Sequence, residues 1–422
     1  MLFDGDTLAD EIGIYLLDDC GVVGADIEAP FRIASVGAAI ANLRQKVKPE
    51  DAQRIFPQGK HTFFTPGRVP LDLRLNLLTV APPGGGKSLY LDYFLDPVVG
   101  FLAETPFKCL RFTKLTSAGF IGSFYQGNKG IPVLVPGDAQ KYPNAIMGLD
   151  EISGMLRVRQ DYDADLLDTL LQVLDRGEVH KRTAMGEIQF QTYLTVWGGS
   201  QPSPTEDRVN LTYGMGRRFL IMRVGRTKEE DMKVVENRRK HSVAEPNQSL
   251  LGLIRKQIKD LYEECRIENM TFSDDYQEFK SKLGLRSVDD EMVDRLAIGW
   301  AVMSDYDGED SLYVGLDPRL REMILLALNW KYANLIWGHK VDVFRILKPD
   351  TPYTNKALRF ELACSLGFTL RELDLVIDRL KKDGVLKARD YYSQTGEIEW
   401  YVDISHELYR EIRGGEFFGN ND

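Results

Sequence analysis

Histidine and cysteine are scarce in this chain, five and four among 422 residues. Cys20, Cys109, Cys265 and Cys364 are scattered, with no C-x-x-C pair and no histidine at metal-ligand spacing, which excludes a zinc site and a disulfide framework and leaves reduced, packed thiols. Long apolar runs are also missing: no stretch approaches the roughly 18 uninterrupted apolar residues of a membrane span, so no membrane partner is expected. The start, Met1-Leu2-Phe3 followed by Asp4, Asp6 and Asp10, lacks the basic segment and apolar core of a secretory signal, and a cytoplasmic setting is expected. Positive charge is in deficit as well, 53 Lys and Arg against 63 Asp and Glu for a net charge of −10. Phosphate binding needs clustered cations, so a general nucleic-acid coat is excluded and any DNA contact must be local.

What is present is ordinary globular composition, 43% hydrophobic and 27% charged, with no low-complexity tract. At about 100–200 residues per domain the length predicts two to four units. Residues 1–64 hold an amphipathic stretch, Ile33 to Val47, and no assignable chemistry. Residues 65–226 alternate strand and helix patterns: strands over Arg74 to Val80, Lys108 to Lys114 and Ala145 to Leu149, a helix carrying Leu166, Leu170 and Leu174, then strands Glu178 to Thr183 and Glu187 to Val196 around a turn at Met185-Gly186. That alternation predicts a mainly parallel, three-layer α/β core. Residues 227–340 read as helical, with helices at Leu250 to Leu261, Tyr276 to Leu283, Asp289 to Met303 and Pro318 to Ile336, and form a helical lid. Residues 341–410 read as a winged helix-turn-helix, with helices at Asp342 to Leu347, Asn355 to Leu366 and Leu370 to Lys382, a Thr369/Glu372 capping box and a two-stranded wing. Residues 411–422 are a tail.

The chemistry concentrates in the α/β part. Directly after the first strand comes Ala81-Pro-Pro-Gly84-Gly85-Gly86-Lys87-Ser88-Leu89, followed by an apolar helical pattern. Glycines let backbone N–H groups turn toward phosphate oxygens, lysine reaches the terminal phosphates, and the serine hydroxyl meets magnesium. Ala81 stands where such loops carry their first glycine. A second strand ends in Asp150-Glu151, which assigns Asp150 to the metal shell and Glu151 to the water as catalytic base. A third ends in Gly199-Ser200-Gln201-Pro202, where Gln201 is the leading candidate for sensing the terminal phosphate and Ser200 the second; a plain glycine turn is the alternative. Arg217-Arg218 follows a loop, and Arg218 supplied to a neighbouring subunit would stabilise charge during phosphoryl transfer, the alternative being a surface ion pair. Lys181 and Arg182 on the hairpin are candidates for a nucleic-acid backbone or ordinary solvated charges. In the C-terminal part Arg371, Arg379, Lys381, Lys382, Lys387 and Arg389 could meet phosphates, but Glu372, Asp374, Asp378 and Asp383 lie among them, so protein docking stays open.

The order of these motifs, Gly84 to Ser88, Leu115-Thr-Ser-Ala-Gly-Phe-Ile-Gly122, Gly148 to Glu151, Gly199 to Pro202 and Gly216-Arg217-Arg218-Phe219, resembles the AAA+ P-loop ATPases of the minichromosome-maintenance and related plasmid or viral helicase-like groups. The resemblance covers about residues 70 to 226. It implies ATP and Mg2+ as cofactors, a homo-oligomeric ring such as a hexamer with hydrolysis between subunits, and movement along DNA, as in a helicase of a mobile element or virus. The large N-terminal DNA-binding domain and zinc ribbon of chromosomal helicases are not expected in these residues, since those before 70 are too few and lack cysteine pairs. Arg319 is a candidate second sensor. An ATP-switched origin-binding initiator or helicase loader, and an AAA+ protein remodeller, are the alternatives.

Overall fold

The computed structural model describes residues 7–44, 72–81, 84–113, 115–127, 130–152, 164–175, 177–201, 216, 218–224, 228–241, 247–283, 285, 287–306, 308, 310–332, 347–348, 351–366, 374, 377–378, 380–382, 384–392 and 398–403. Helices α1 (Leu8–Ile14) and α2 (Ala25–Arg44) precede β1 (Asn76–Val80) and α3 (Lys87–Leu95). Next come β2 (Cys109–Phe112), α4 (Ser117–Ile121), the strands β3 (Gly122–Gln126) and β4 (Pro132–Pro136), α5 (Asp138–Lys141), β5 (Ile146–Leu149) and α6 (Ala164–Asp175). Strands β6 (Glu178–Thr183), β7 (Gly186–Gln191), β8 (Thr195–Ser200) and β9 (Phe219–Arg223) follow, then α7 (Lys228–His241) and α8 (Gln248–Glu264). The remainder comprises β10 (Asn269–Phe272), α9 (Asp274–Lys282), α10 (Ser287–Ser304), β11 (Ser311–Val314), α11 (Pro318–Tyr332), α12 (Asn355–Leu366), β12 (Leu386–Tyr392) and β13 (Ile398–Val402).

Five strands form one parallel sheet in the order β2-β5-β8-β1-β9. Every residue of β1, β5 and β8 is buried, as a parallel sheet covered on both faces requires. One core carries α2, α3 and the helices between residues 248 and 332, packed with Leu77, Trp197 and Met222; the other carries α4 and α6 on Leu78, Met147, Val196 and Ile221. The molecule is therefore mixed α/β with helices on both faces of a central parallel sheet, as the alternation of patterns predicts. Among the described residues no helix is long and apolar enough to cross a membrane. Cys20, Cys109 and Cys265 are free, and burial pushes the Cys109 thiol up to about 12.

Residues 7–44, to which the sequence assigns no chemistry, are part of this core. Helix α2 begins at Ala25 rather than Ile33, and small residues let it meet α10 backbone to backbone. A Cβ on Gly37 would lie 2.0 Å from the Gly299 oxygen, and one on Gly299 2.0 Å from the Ala34 oxygen. From α2, Ser35 Oγ donates to Leu75 O at 2.6 Å and accepts from Trp197 Nε1 at 2.8 Å, while the buried Arg32 donates to Thr79 Oγ1 at 2.8 Å and lies over the Tyr90 and Trp197 rings.

Three expectations change. The single strand Glu187 to Val196 is two: β7 pairs antiparallel with β6, and β8 then runs parallel between β5 and β1. One straight strand cannot serve both partners, and the chain turns at Thr192–Leu194, where Thr192 N bonds Gly177 O and Tyr193 N bonds Pro143 O. The hairpin β3-β4 has no counterpart in the sequence reading, because Pro132 and Pro136 bracket a run too short to show alternation. The helical region also holds a small parallel pair, β10 with β11. In the C-terminal part α12 and the antiparallel β12-β13 pair form as expected; Thr369, Glu372 and most of the helices expected at Asp342 to Leu347 and Leu370 to Lys382 lie outside the described residues.

Candidate active site

Because the five strands are parallel, their carboxyl ends share one edge, where open α/β sheets hold ligands. At that edge β8 lies between β1 and β5, so Gln201, directly after β8, stands between the strand end that leads to the glycine loop and Asp150-Glu151. Two hydrogen bonds lock the ends: Ala81 N to Ser200 O at 3.0 Å and Ile152 N to Gly199 O at 2.7 Å. The approach is so close that a Cβ on Gly199 would sit 2.5 Å from the Asp150 carbonyl oxygen. Gly148, two residues before Asp150, similarly lets α3 settle on β5, since a Cβ there would lie 2.8 Å from Leu95 Cδ1.

The glycine loop has the backbone its composition implies. Gly84 and Gly86 take left-handed φ of 79° and 88°, which L side chains rarely adopt, and Gly86 caps the start of α3. The N–H groups of the helix's first turn therefore face back toward the loop. Lys87 folds across it, Nζ donating to Ala81 O at 2.7 Å. Burial holds the Lys87 pKa below the ordinary lysine value, and the nearby Glu151 carboxylate opposes that shift. Ser88 is exposed in the first turn and Leu89 is half-buried beside it.

The residues present suit an anion: among the described residues nothing lies within 4 Å of where a Gly84 side chain would begin, and the loop carries the Lys87 cation. Ser88 and Asp150 add oxygen donors of the kind magnesium accepts alongside water and phosphate oxygens. Asp150 is bound by a residue that the sequence reading missed: Arg111, on β2, donates from Nη2 to Asp150 Oδ1 at 3.0 Å and also bonds Asp92 on α3. A single arginine in a short strand carries no sequence signal for this; only the β2-β5 pairing reveals it.

The remaining candidates separate. Gln201 is exposed at the carboxyl edge, and Ser200, 1% exposed, turns its hydroxyl to Gln201 O. Arg218 stands at the opposite edge, immediately before β9, with Nη2 3.1 Å from Asp175 Oδ2 and its carbonyl accepting from Asn76 Nδ2 at 3.3 Å. It is remote from the glycine loop of its own chain. On the β6-β7 hairpin, Lys181 shares the inward face with Val179 and Ile188 and bonds Ser117 Oγ at 3.3 Å, whereas Arg182 is exposed. Arg319 pairs with Asp10 at 2.6 Å beside Trp300, at the junction of α1 and α11. Arg371, Arg217, Arg379 and Pro202 lie outside the described residues.

Fold and site together define an α/β protein with a glycine-cradled cation and two adjacent carboxylates at the carboxyl edge of a parallel sheet. No protein-family model matches the chain, and no curated protein is significantly similar to it.

Proposed function

We propose that this protein is an ATP-hydrolysing P-loop ATPase of AAA+ type that assembles into a ring and acts on DNA. The observation that carries the reading is the locked junction of three strand ends, which brings the glycine loop, Asp150-Glu151 and Gln201 to one edge in the order loop, Gln201, carboxylates. Gly84 to Leu89 would hold the phosphates, with the Lys87 ammonium moving from Ala81 O to the terminal oxygens. Magnesium, held by Ser88 and Asp150, would neutralise charge on those oxygens. Glu151 takes a proton from water, the water oxygen bonds to the terminal phosphorus as the bond to the bridging oxygen breaks, and ADP leaves with that electron pair. Gln201, exposed directly after β8, would report the terminal phosphate to the sheet. Arg218, at the far edge, is remote from the glycine loop of its own chain, so any part it takes in hydrolysis would be at the site of another copy. Arg182 is the hairpin cation open to a nucleic-acid backbone. The helices of residues 228–332 would be the lid and the α12, β12-β13 part the winged domain.

The central test is turnover. ATP hydrolysis by the purified chain, with and without single-stranded and double-stranded DNA at low salt, should be stimulated by DNA if it is a motor. Glu151→Gln should keep nucleotide bound and lose at least ~100-fold in turnover; normal turnover in that variant removes Glu151 from the mechanism.

One observation favours a second reading, a protein remodeller or switch in which the C-terminal part docks protein. Three of its described cations form ion pairs: Lys387 with Asp403 at 2.6 Å, Arg389 with Glu399 at 3.3 Å and Arg359 with Asp374 at 2.6 Å. Slow turnover indifferent to DNA would move the assignment there, or to the ATP-switched initiator.

A further inference from the structure

Arg111 is a cation bonded to Asp150, the carboxylate assigned to magnesium. It stands in register with Gly148, so Arg111, Gly148 and, two residues on, Asp150 share the sheet face that α3 covers, where Leu91 and Leu95 approach Gly148. On α3, Asp92 follows Ser88 by one helical turn and lies on the same helix face. One guanidinium thus bridges Asp150 Oδ1, at 3.0 Å, and the Asp92 carboxylate on α3. Asp150, one of the two oxygen donors assigned to magnesium, is therefore already engaged by a cation.

We propose that Arg111 is a positioning residue that holds the Asp150 carboxylate in place of the metal, so that magnesium and the guanidinium compete for it and Arg111 sets the magnesium concentration needed to retain nucleotide. This rests on the phosphate-loop reading above. The reason is charge. Asp92, Arg111 and Asp150 together carry one net negative charge; without Arg111 they carry two, and without the Asp92 carboxylate none. A dication arriving at Asp150 is therefore drawn more strongly in the first case and less in the second. Asp92 matters because it shares the guanidinium, drawing it partly off Asp150. Side chains exposed by 33% at Arg111 and 18% at Asp150 leave room for the dication to approach and for the guanidinium to swing aside.

The experiment follows the binding of N-methylanthraniloyl-ADP to the full chain by fluorescence while Mg2+ is titrated at low salt. Arg111→Gln should lower the half-saturating Mg2+ concentration by ~10-fold, Asp92→Asn should raise it, and Arg111→Lys, which restores the charge, should return it toward wild type. A merely structural ion pair would shift Arg111→Gln and Asp92→Asn in the same direction or neither, and either result overturns the proposal. If Arg111→Gln does not fold, as its melting curve without nucleotide would show, Asp92→Asn decides alone: an unchanged or lowered half-saturation rejects the competition. Wild type that binds the probe without regard to Mg2+, or not at all, brings down the phosphate-loop reading and this inference together. Magnesium-dependent binding with Arg111→Gln unmoved brings down this inference only.

Discussion

Gly199 is where the site depends on a single missing atom. A methyl group there would press against the Asp150 carbonyl at 2.5 Å, a contact with backbone that no rotamer change relieves. Gly199→Ala should therefore displace the acidic turn and cut ATP turnover by at least ~10-fold while the chain still folds. Steady-state turnover beside a melting curve distinguishes this from general destabilisation, and full activity would mean the turn has slack that its hydrogen bonds do not suggest. Gly84 to Ser88 and Asp150-Glu151 stand out in the sequence because residue type and spacing along one loop or strand end single them out. Gly199 reads in sequence only as part of a turn, because its role is a distance to another strand.

At the scale of elements, the α2-α10 crossing joins the segment before the sheet to the helices after it. Gly37 and Gly299 meet with facing backbone, so Gly37→Leu has no space to enter and should cost about 3 kcal/mol or more, read as a lower denaturation midpoint in urea. A change within experimental error would show that the two helices can separate without loss. Within the same helical part, Tyr276 Oη donates to Asp294 at 2.8 Å, and Lys280 bonds both Asp294 and Asp290. Burial raises the Asp294 pKa above the ordinary aspartate value of 3.8, with the Lys280 ammonium opposing it. The folded state thus keeps a proton that the unfolded chain releases. That contribution to stability is fully present at low pH and is lost as pH rises through the folded value. Asp294→Asn does not titrate, so its melting temperature relative to wild type should climb as pH rises from about 4 toward neutrality. A difference that is flat across this window would show that Asp294 stays ionised. Helical periodicity announced α8, α9, α10 and α11, whereas β10, β11 and the β3-β4 hairpin are four or five residues each and too short for a period to declare itself.

For the whole molecule, the placement of Arg218 matters most. It lies at the amino edge of the sheet and the glycine loop at the carboxyl edge, so a chain acting alone cannot bring the two together. If sites are shared, Arg218→Ala should abolish turnover in assembled protein, and doping it into wild type should depress activity more than in proportion to its fraction. Activity strictly proportional to the wild-type fraction would assign Arg218 to its Asp175 ion pair alone. With a net charge of −10, long-range attraction to DNA is weak, so DNA stimulation, where it occurs, should fall steeply between about 50 and 200 mM salt as the few local contacts are screened.

The sequence by itself determined the glycine loop, the paired carboxylates and the alternation that builds a parallel sheet, because each is local: a backbone that needs glycine, a strand that ends in acid, an apolar run of fixed period. Only the tertiary structure decided that β8 lies between β1 and β5, that Arg111 grips Asp150, that Arg218 faces away from its own loop, and that α2 is built into the core. Those relations are made by strand pairing and side-chain packing between residues far apart in the chain, and no spacing along one segment encodes them.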